Sequence, residues 1–223
     1  MTHSPVPFRA LAVRARGLLA LGLALGASPA LAHHPMGGQT PATLLDGLLS
    51  GLGHPLIEPE HLLFLLGSAA AVACLPIARA QGLRLLGLFL LTGLMGTVAG
   101  TAGVALPLQD AALAVSLLLP AFALGLSGAA TPAAPGGPRW AAAAGLAGLV
   151  HGLIYGEAVI GAEPTPVLAY LAGLTLLQSG LLGAAWLPAS RITPALRARL
   201  VLPARGLALA LASASAWMLV GAA

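Results

Sequence analysis

The chain has 223 residues, of which 58% are hydrophobic and only 7% charged, where a soluble domain carries about 25% charged residues. With a mean hydropathy of +0.95 and apolar runs of about 20 residues, the length that spans a bilayer, the composition is that of an all-α, polytopic membrane protein. The formal net charge of +4 rests on arginine alone; these arginines form no stripe or patch, which excludes a nucleic-acid binder.

At the start of the chain, Arg9, Arg14 and Arg16 precede the apolar stretch 17–26, and Ser28-Pro-Ala-Leu-Ala32 then places small residues at Ala30 and Ala32. This is the pattern a signal peptidase reads, so residues 1–32 are predicted to be a cleaved signal peptide. An uncleaved anchor fits less well, because the apolar core is short for a span and Pro29 ends it. Mass spectrometry of the purified protein should find an N-terminus at His33; a start before Ala32 refutes the assignment. Cleavage leaves seven arginines against six acids.

Residues 33–59 are expected to form a periplasmic N-terminal segment and a short helix leading into the membrane. The new terminus reads His33-His-Pro-Met-Gly-Gly38. Its free amine, the imidazoles of His33 and His34 and the thioether of Met36 suit capture of a transition metal; the plainer reading is a mobile tail. Asp46 either assists or faces water. Further on, Pro55 and Pro59 bracket the motif Gly51-Leu-Gly-His-Pro-Leu-Ile-Glu-Pro-Glu-His61. The stretch 43–53 and a span from Glu60 are therefore predicted as two helical pieces with an irregular turn between them. The second piece directs free N–H groups toward the break and favours carboxylates at Glu58 and Glu60, with Glu58 read as a first-turn dipole partner.

Six apolar runs follow, at 60–78, 83–104, 110–129, 140–160, 166–186 and 201–221, each long enough to cross. Together they predict a six-helix transmembrane bundle with a broken first helix, occupying 60–223. If the mature N-terminus is exported, Arg79, Arg84, Arg139, Arg191, Arg197, Arg199 and Arg205 all fall on the cytoplasmic side, while the opposite connections carry only acids. The positive-inside rule thus agrees with the cleavage site, and both mature termini are expected in the periplasm of a bacterial inner-membrane protein. Gly96 with Gly100, and Gly148, Gly152 and Gly156, recur every four residues and predict close helix contacts. Pro120 is expected to kink the third span. Thr92, Thr97, Thr101, Gln178 and Ser179 line a polar path or bond between helices. Cys74, the single cysteine, is read as packing.

The rare polar residues gather in two places. The second, Gly148-Leu-Val-His-Gly-Leu-Ile-Tyr-Gly-Glu-Ala158, matches the first so that His54 aligns with His151 and Glu60 with Glu157. This H-x5-E repeat hints at internal duplication. Burying both glutamates unpaired near a helix centre costs on the order of 5 kcal/mol. Two readings compensate for that cost: a divalent first-row metal held by imidazole nitrogens and carboxylate oxygens, or a structural or proton-relay hydrogen-bond cluster. Glu60 and His61 fall at the outer end of the first span. His151 lies 11 residues beyond Trp140, roughly 16 Å up the fourth span, so the pocket should open outward.

At these motifs the sequence resembles the HupE/UreJ family of bacterial nickel permeases, with their leader, six spans, an H-x5-D-H motif in the first span and an H-G-x-[AV]-H-G-x-E motif in the fourth. The likeness covers essentially the whole mature chain. Here Glu60 stands for the Asp, Ile154 for the small residue and Tyr155 for the second His, and Glu157 sits one place early. The resemblance implies that His54, Glu60, His61 and His151 are ligands or essential for transport; Tyr155 and Glu157 are added by position. It further implies that the transported ion is Ni2+ or Co2+, with no permanently bound cofactor expected.

The leading functional expectation is a secondary carrier with no enzymatic activity, working in the lipid bilayer on a divalent metal ion. No P-loop motif is present, so the chain itself does not couple to ATP. A metal-binding accessory protein for metalloenzyme assembly would use the same ligands without net flux. An intramembrane serine protease is the weakest alternative: Gly125-Leu-Ser-Gly128 has a G-x-S-G form, but no histidine follows position 151 and a nucleophile needs a base within reach.

Overall fold

A computed structural model of the chain describes residues 39–75, 77–127, 137–189 and 191–221. The expected leader, its cleavage point and the His33, His34 and Met36 cluster lie outside them. All regular structure among the described residues is helical: α1 (Leu44–Ile57), α2 (Pro59–Cys74), α3 (Arg79–Thr101), α4 (Gln109–Ser116), α5 (Leu118–Gly125), α6 (Pro138–Glu157), α7 (Pro164–Ala189) and α8 (Pro194–Gly221).

Helix α1 opens with a capping box. The Thr43 hydroxyl accepts from the Asp46 N–H at 3.1 Å, and the Asp46 carboxylate accepts from the Thr43 N–H at 2.9 Å, so two donors left over at the helix start are satisfied together. Asp46 is therefore part of a cap. The helix runs on through His54 and Pro55 to Ile57, farther than the expected end at 53, because Pro55 falls in the last turn and removes only one bond there. The irregular turn shrinks to the single residue Glu58. Its extended backbone, φ −92° and ψ 113°, follows from Pro59, whose ring excludes the helical region for the residue before it. Pro59 then opens α2 as its first residue, a position that needs no N–H. The two helices meet at a bend of 76°.

The expected third span is also divided. Leu117 breaks it into α4 and α5, with the Leu117 N–H bonded to Ala114 instead of Leu113. Pro120 is the physical cause: it lacks the donor for the Ser116 carbonyl four residues earlier, so the helix tightens and restarts just before it.

By length and composition α3, α7 and α8 each suffice to cross a membrane, and the bent α1–α2 pair makes a fourth if it counts as one span. The segment Gln109–Gly125 is apolar but shorter, and α6 carries His151 and Glu157 within its 20 residues.

Glycine sets the closest contacts. A Cβ at Gly148, Gly152 or Gly156 of α6 would overlap the carbonyl oxygen of Phe89, Gly93 or Thr97 of α3. On the other side Gly96 and Gly100 face the carbonyls of Leu149 and Leu153. Backbone meets backbone at these positions because the glycines carry no side chain to hold the helices apart. A second such seam joins α1 to α7, where Gly47 and Gly51 rest on the carbonyls of Pro166 and Tyr170, and Gly173 on that of Leu48. Helix α2 packs against α5, α7 and α8 through a core containing Phe64, Leu65, Leu117, Leu124 and Leu211. The α3–α6 seam carries His151 and the α1–α7 seam carries His54 and Tyr170 to one interior point.

Candidate metal centre

Three histidines and one glutamate converge inside the helices. His54 is 2% exposed, His61 0%, His151 1% and Glu58 7%, so the whole group is withdrawn from solvent. Glu58 bridges the two motif histidines: its Oε1 lies 3.1 Å from His54 Nε2 and its Oε2 lies 3.0 Å from His61 Nε2. The Pro59-imposed turn produces this. His54 precedes Glu58 by four residues and His61 follows it by three, so the extended residue at the bend is flanked by both rings. His151 Nδ1 approaches His61 Nδ1 at 2.6 Å, and the other nitrogen of His151 meets Ser116 Oγ at 2.9 Å. Tyr170 Oη lies 2.9 Å from His54 Nδ1.

Aromatic rings wall the site. Tyr155 stacks on His61 with centroids 4.1 Å apart and meets His54 edge-on at 5.1 Å. Phe64 lies 4.3 Å from the His151 ring. These rings pack against the imidazoles and lower the local polarity, which strengthens electrostatic interactions inside.

The ligand atoms of His54, Glu58 and His61 all lie within 4.8 Å of one another, the one such group of histidine, cysteine or carboxylate atoms among the described residues. Bonds of about 2.1 Å to one ion place ligand atoms about 3–4 Å apart, so a small contraction closes the group on a cation. The Nε2 atoms of His54 and His61 each lie at ion-pair distance from an oxygen of Glu58 and have no other partner among the described residues. Two buried imidazole nitrogens facing one carboxylate offer the nitrogen and oxygen ligands a divalent transition metal takes.

The carboxylate in the group is Glu58, where the sequence pointed to Glu60. Glu60 is half-buried in the first turn of α2 and outside the group. It directly precedes His61, and adjacent residues on a helix do not share a face; its place suits the helix dipole instead. Glu157, the last residue of α6, is likewise half-buried and outside the group. Six residues beyond His151 it falls on another face, whereas Tyr155, four residues on, shares the His151 face. Ser116 and Tyr170 were not singled out in the sequence at all. His151 meets Ser116 and His61, and among the described residues the buried Ser127 hydroxyl of the G-x-S-G stretch makes no hydrogen bond.

The family described as HupE / UreJ protein matches residues 20–218. The chain belongs to the HupE/UreJ family. Family membership points to metal transport or a metal accessory role and not to an enzyme, and the His54–Glu58–His61 group is compatible with either role. The apolar helices agree with a membrane protein. Comparison with curated proteins and comparison with solved structures give no match.

Proposed function

We propose that the chain is a secondary carrier importing a divalent transition metal, nickel in the first place and cobalt as the alternative, through the buried His54–Glu58–His61 group. The observation that carries this reading is the convergence of two buried imidazole nitrogens on the two oxygens of one buried carboxylate. A divalent ion exchanges part of its water shell for these ligands and compensates for their burial. His151 supports the group from α6.

In this proposal the apolar segments cross six times: the bent α1–α2 pair, α3, the α4–α5 pair, α6, α7 and α8. The signal peptide is removed, the arginine-bearing connections are cytoplasmic, and the ion enters from the periplasm of the inner membrane. His33 and His34 deliver ions to the mouth, while Glu60 and Glu157 stand outside the ligand set. Membrane potential drives accumulation, worth about 4.6 kcal/mol for two charges at 100 mV.

Uptake of radioactive nickel and cobalt into cells expressing the wild type or His54→Ala tests the reading. Wild type should accumulate at least one of the two ions and His54→Ala should fall to the empty-vector level; equal uptake by both refutes the site. Purified wild type in liposomes should show net flux, which separates a carrier from an accessory protein that only binds.

A further inference from the structure

The geometry points to Ser116 and Tyr170 as positioning residues that fix which nitrogen of each imidazole carries hydrogen, leaving the His54 and His61 lone pairs aimed at Glu58; we propose this role on the basis of the metal-carrier reading above. A hydroxyl has a single proton to give. Tyr170 Oη lies 2.7 Å from the Tyr155 carbonyl and 2.9 Å from His54 Nδ1. The carbonyl can only accept, so the phenol donates to it and accepts from His54. Nδ1 of His54 therefore holds the hydrogen, and in the neutral ring Nε2 is bare.

The same reasoning runs through a second chain of contacts. Ser116 Oγ lies 2.6 Å from the Leu113 carbonyl and 2.9 Å from His151 Nε2. The hydroxyl donates to the carbonyl and accepts from His151, whose Nε2 carries hydrogen and whose Nδ1 is bare. His61 Nδ1, 2.6 Å from that bare nitrogen, must then donate to it. In the neutral ring this leaves His61 Nε2 bare as well. Two chains starting at different carbonyls thus end in the same way, each with an imidazole lone pair facing one oxygen of Glu58. Both nitrogens of His151 are committed, which makes it the link between Ser116 and His61 and not a ligand.

The two carbonyls are available for identifiable reasons. Tyr155 sits in the last turn of α6, where in-helix donors run out; the Val159 N–H bonds to Gly156 instead. The Leu113 carbonyl loses its expected donor at the α4–α5 break, where the Leu117 N–H turns to Ala114. The break caused by Pro120 therefore acts through Ser116 and His151 on the ring state of His61. Partners of this kind hold a metal-binding ring in the productive tautomer.

Nitrogen-15 NMR of histidine-labelled protein in detergent, freed of metal with a chelator and held above the pH where imidazoles protonate, reads the tautomers directly. Resonances are assigned by single His→Gln replacements. Wild type should show hydrogen on Nδ1 of His54 and His61 and on Nε2 of His151. Hydrogen on Nε2 of His54 or His61 overturns the proposal, and this measurement needs no variant to fold. Ser116→Ala should mix the tautomers of His151 and His61 and leave His54 alone, Tyr170→Phe should mix those of His54 only, and Ser116→Thr should restore the wild-type pattern. Titration with Ni2+ and Co2+ should show affinities about 10–100-fold weaker for Ser116→Ala and Tyr170→Phe, with Ser116→Thr close to wild type. Unchanged tautomers in both hydroxyl-deleted variants count against the assignment. If wild type has the expected tautomers but binds neither metal, the carrier reading falls and the assignment stands; if it binds metal with other tautomers, the assignment falls alone.

Discussion

Glu58→Gln should weaken Ni2+ or Co2+ binding by more than about 100-fold, while Glu60→Gln stays within about threefold of wild type. The bound on Glu58 follows from scale: partners that touch only a ligand are already worth about 10–100-fold, and Glu58 supplies a charge and two oxygens to the group. The amide has nearly the same size but exchanges an acceptor for a donor, which then faces one of the two imidazole nitrogens. A hydrogen bond replaces a lone-pair contact in a buried place, so the melting temperature in detergent should hold or rise as binding is lost. Competition with a chromogenic chelator measures the binding, and uptake in cells follows it. Equal loss in Glu60→Gln would return the site to the residue first indicated by the H-x5-E repeat, and an unaffected Glu58→Gln would remove the carboxylate from the mechanism.

The second large effect concerns the seam between α3 and α6. Gly152→Ala should destabilise the protein at or above the upper end of the usual overpacking range of about 1–3 kcal/mol. The added Cβ overlaps the Gly93 carbonyl, a backbone group that moves only if the helices separate. Gly145→Ala serves as the matched control: there the nearest outside atom is Thr92 Cγ2 at 3.7 Å, an ordinary contact, so alanine's better helix propensity should leave stability unchanged or raise it by up to about 1 kcal/mol. Thermal unfolding of the two purified variants in the same detergent decides the point. Because Gly152 adjoins His151, the damaged variant should also lose metal affinity. Equal melting temperatures would show that the seam yields more easily than its geometry implies.

The glycine seam between α3 and α6 was legible in the sequence because small residues four apart mark one face of a helix, whatever that face meets; the seam of Gly47, Gly51 and Gly173 was not singled out. The histidines were legible for a different reason: polar residues are so scarce in this chain that their placement demands an explanation. Choosing between Glu58 and Glu60 required the local backbone. The repeat drew attention to Glu60, although the Glu-Pro pair, which makes residue 58 extended, was present in the same motif. Pro120 announced a kink, but nothing in the linear chain said that the disturbed turn would offer its serine to a histidine 35 residues later. Tyr170 reaches His54 across 116 residues, through a contact set by how α1 lies along α7. Partners of that kind belong to the packing of helices, which hydropathy and motif spacing do not encode.

The residue that lies between the two imidazoles, Glu58, also stands at the corner of an elbow. His54 belongs to the forearm that lies along α7, and His61 to the upper arm wedged among α5, α7 and α8. Opening or flexing that elbow by a few degrees changes the bite between the two rings at once, with no helix unwound. Under the proposed carrier reading, the ion sits between two levers whose relative angle sets how tightly it is held.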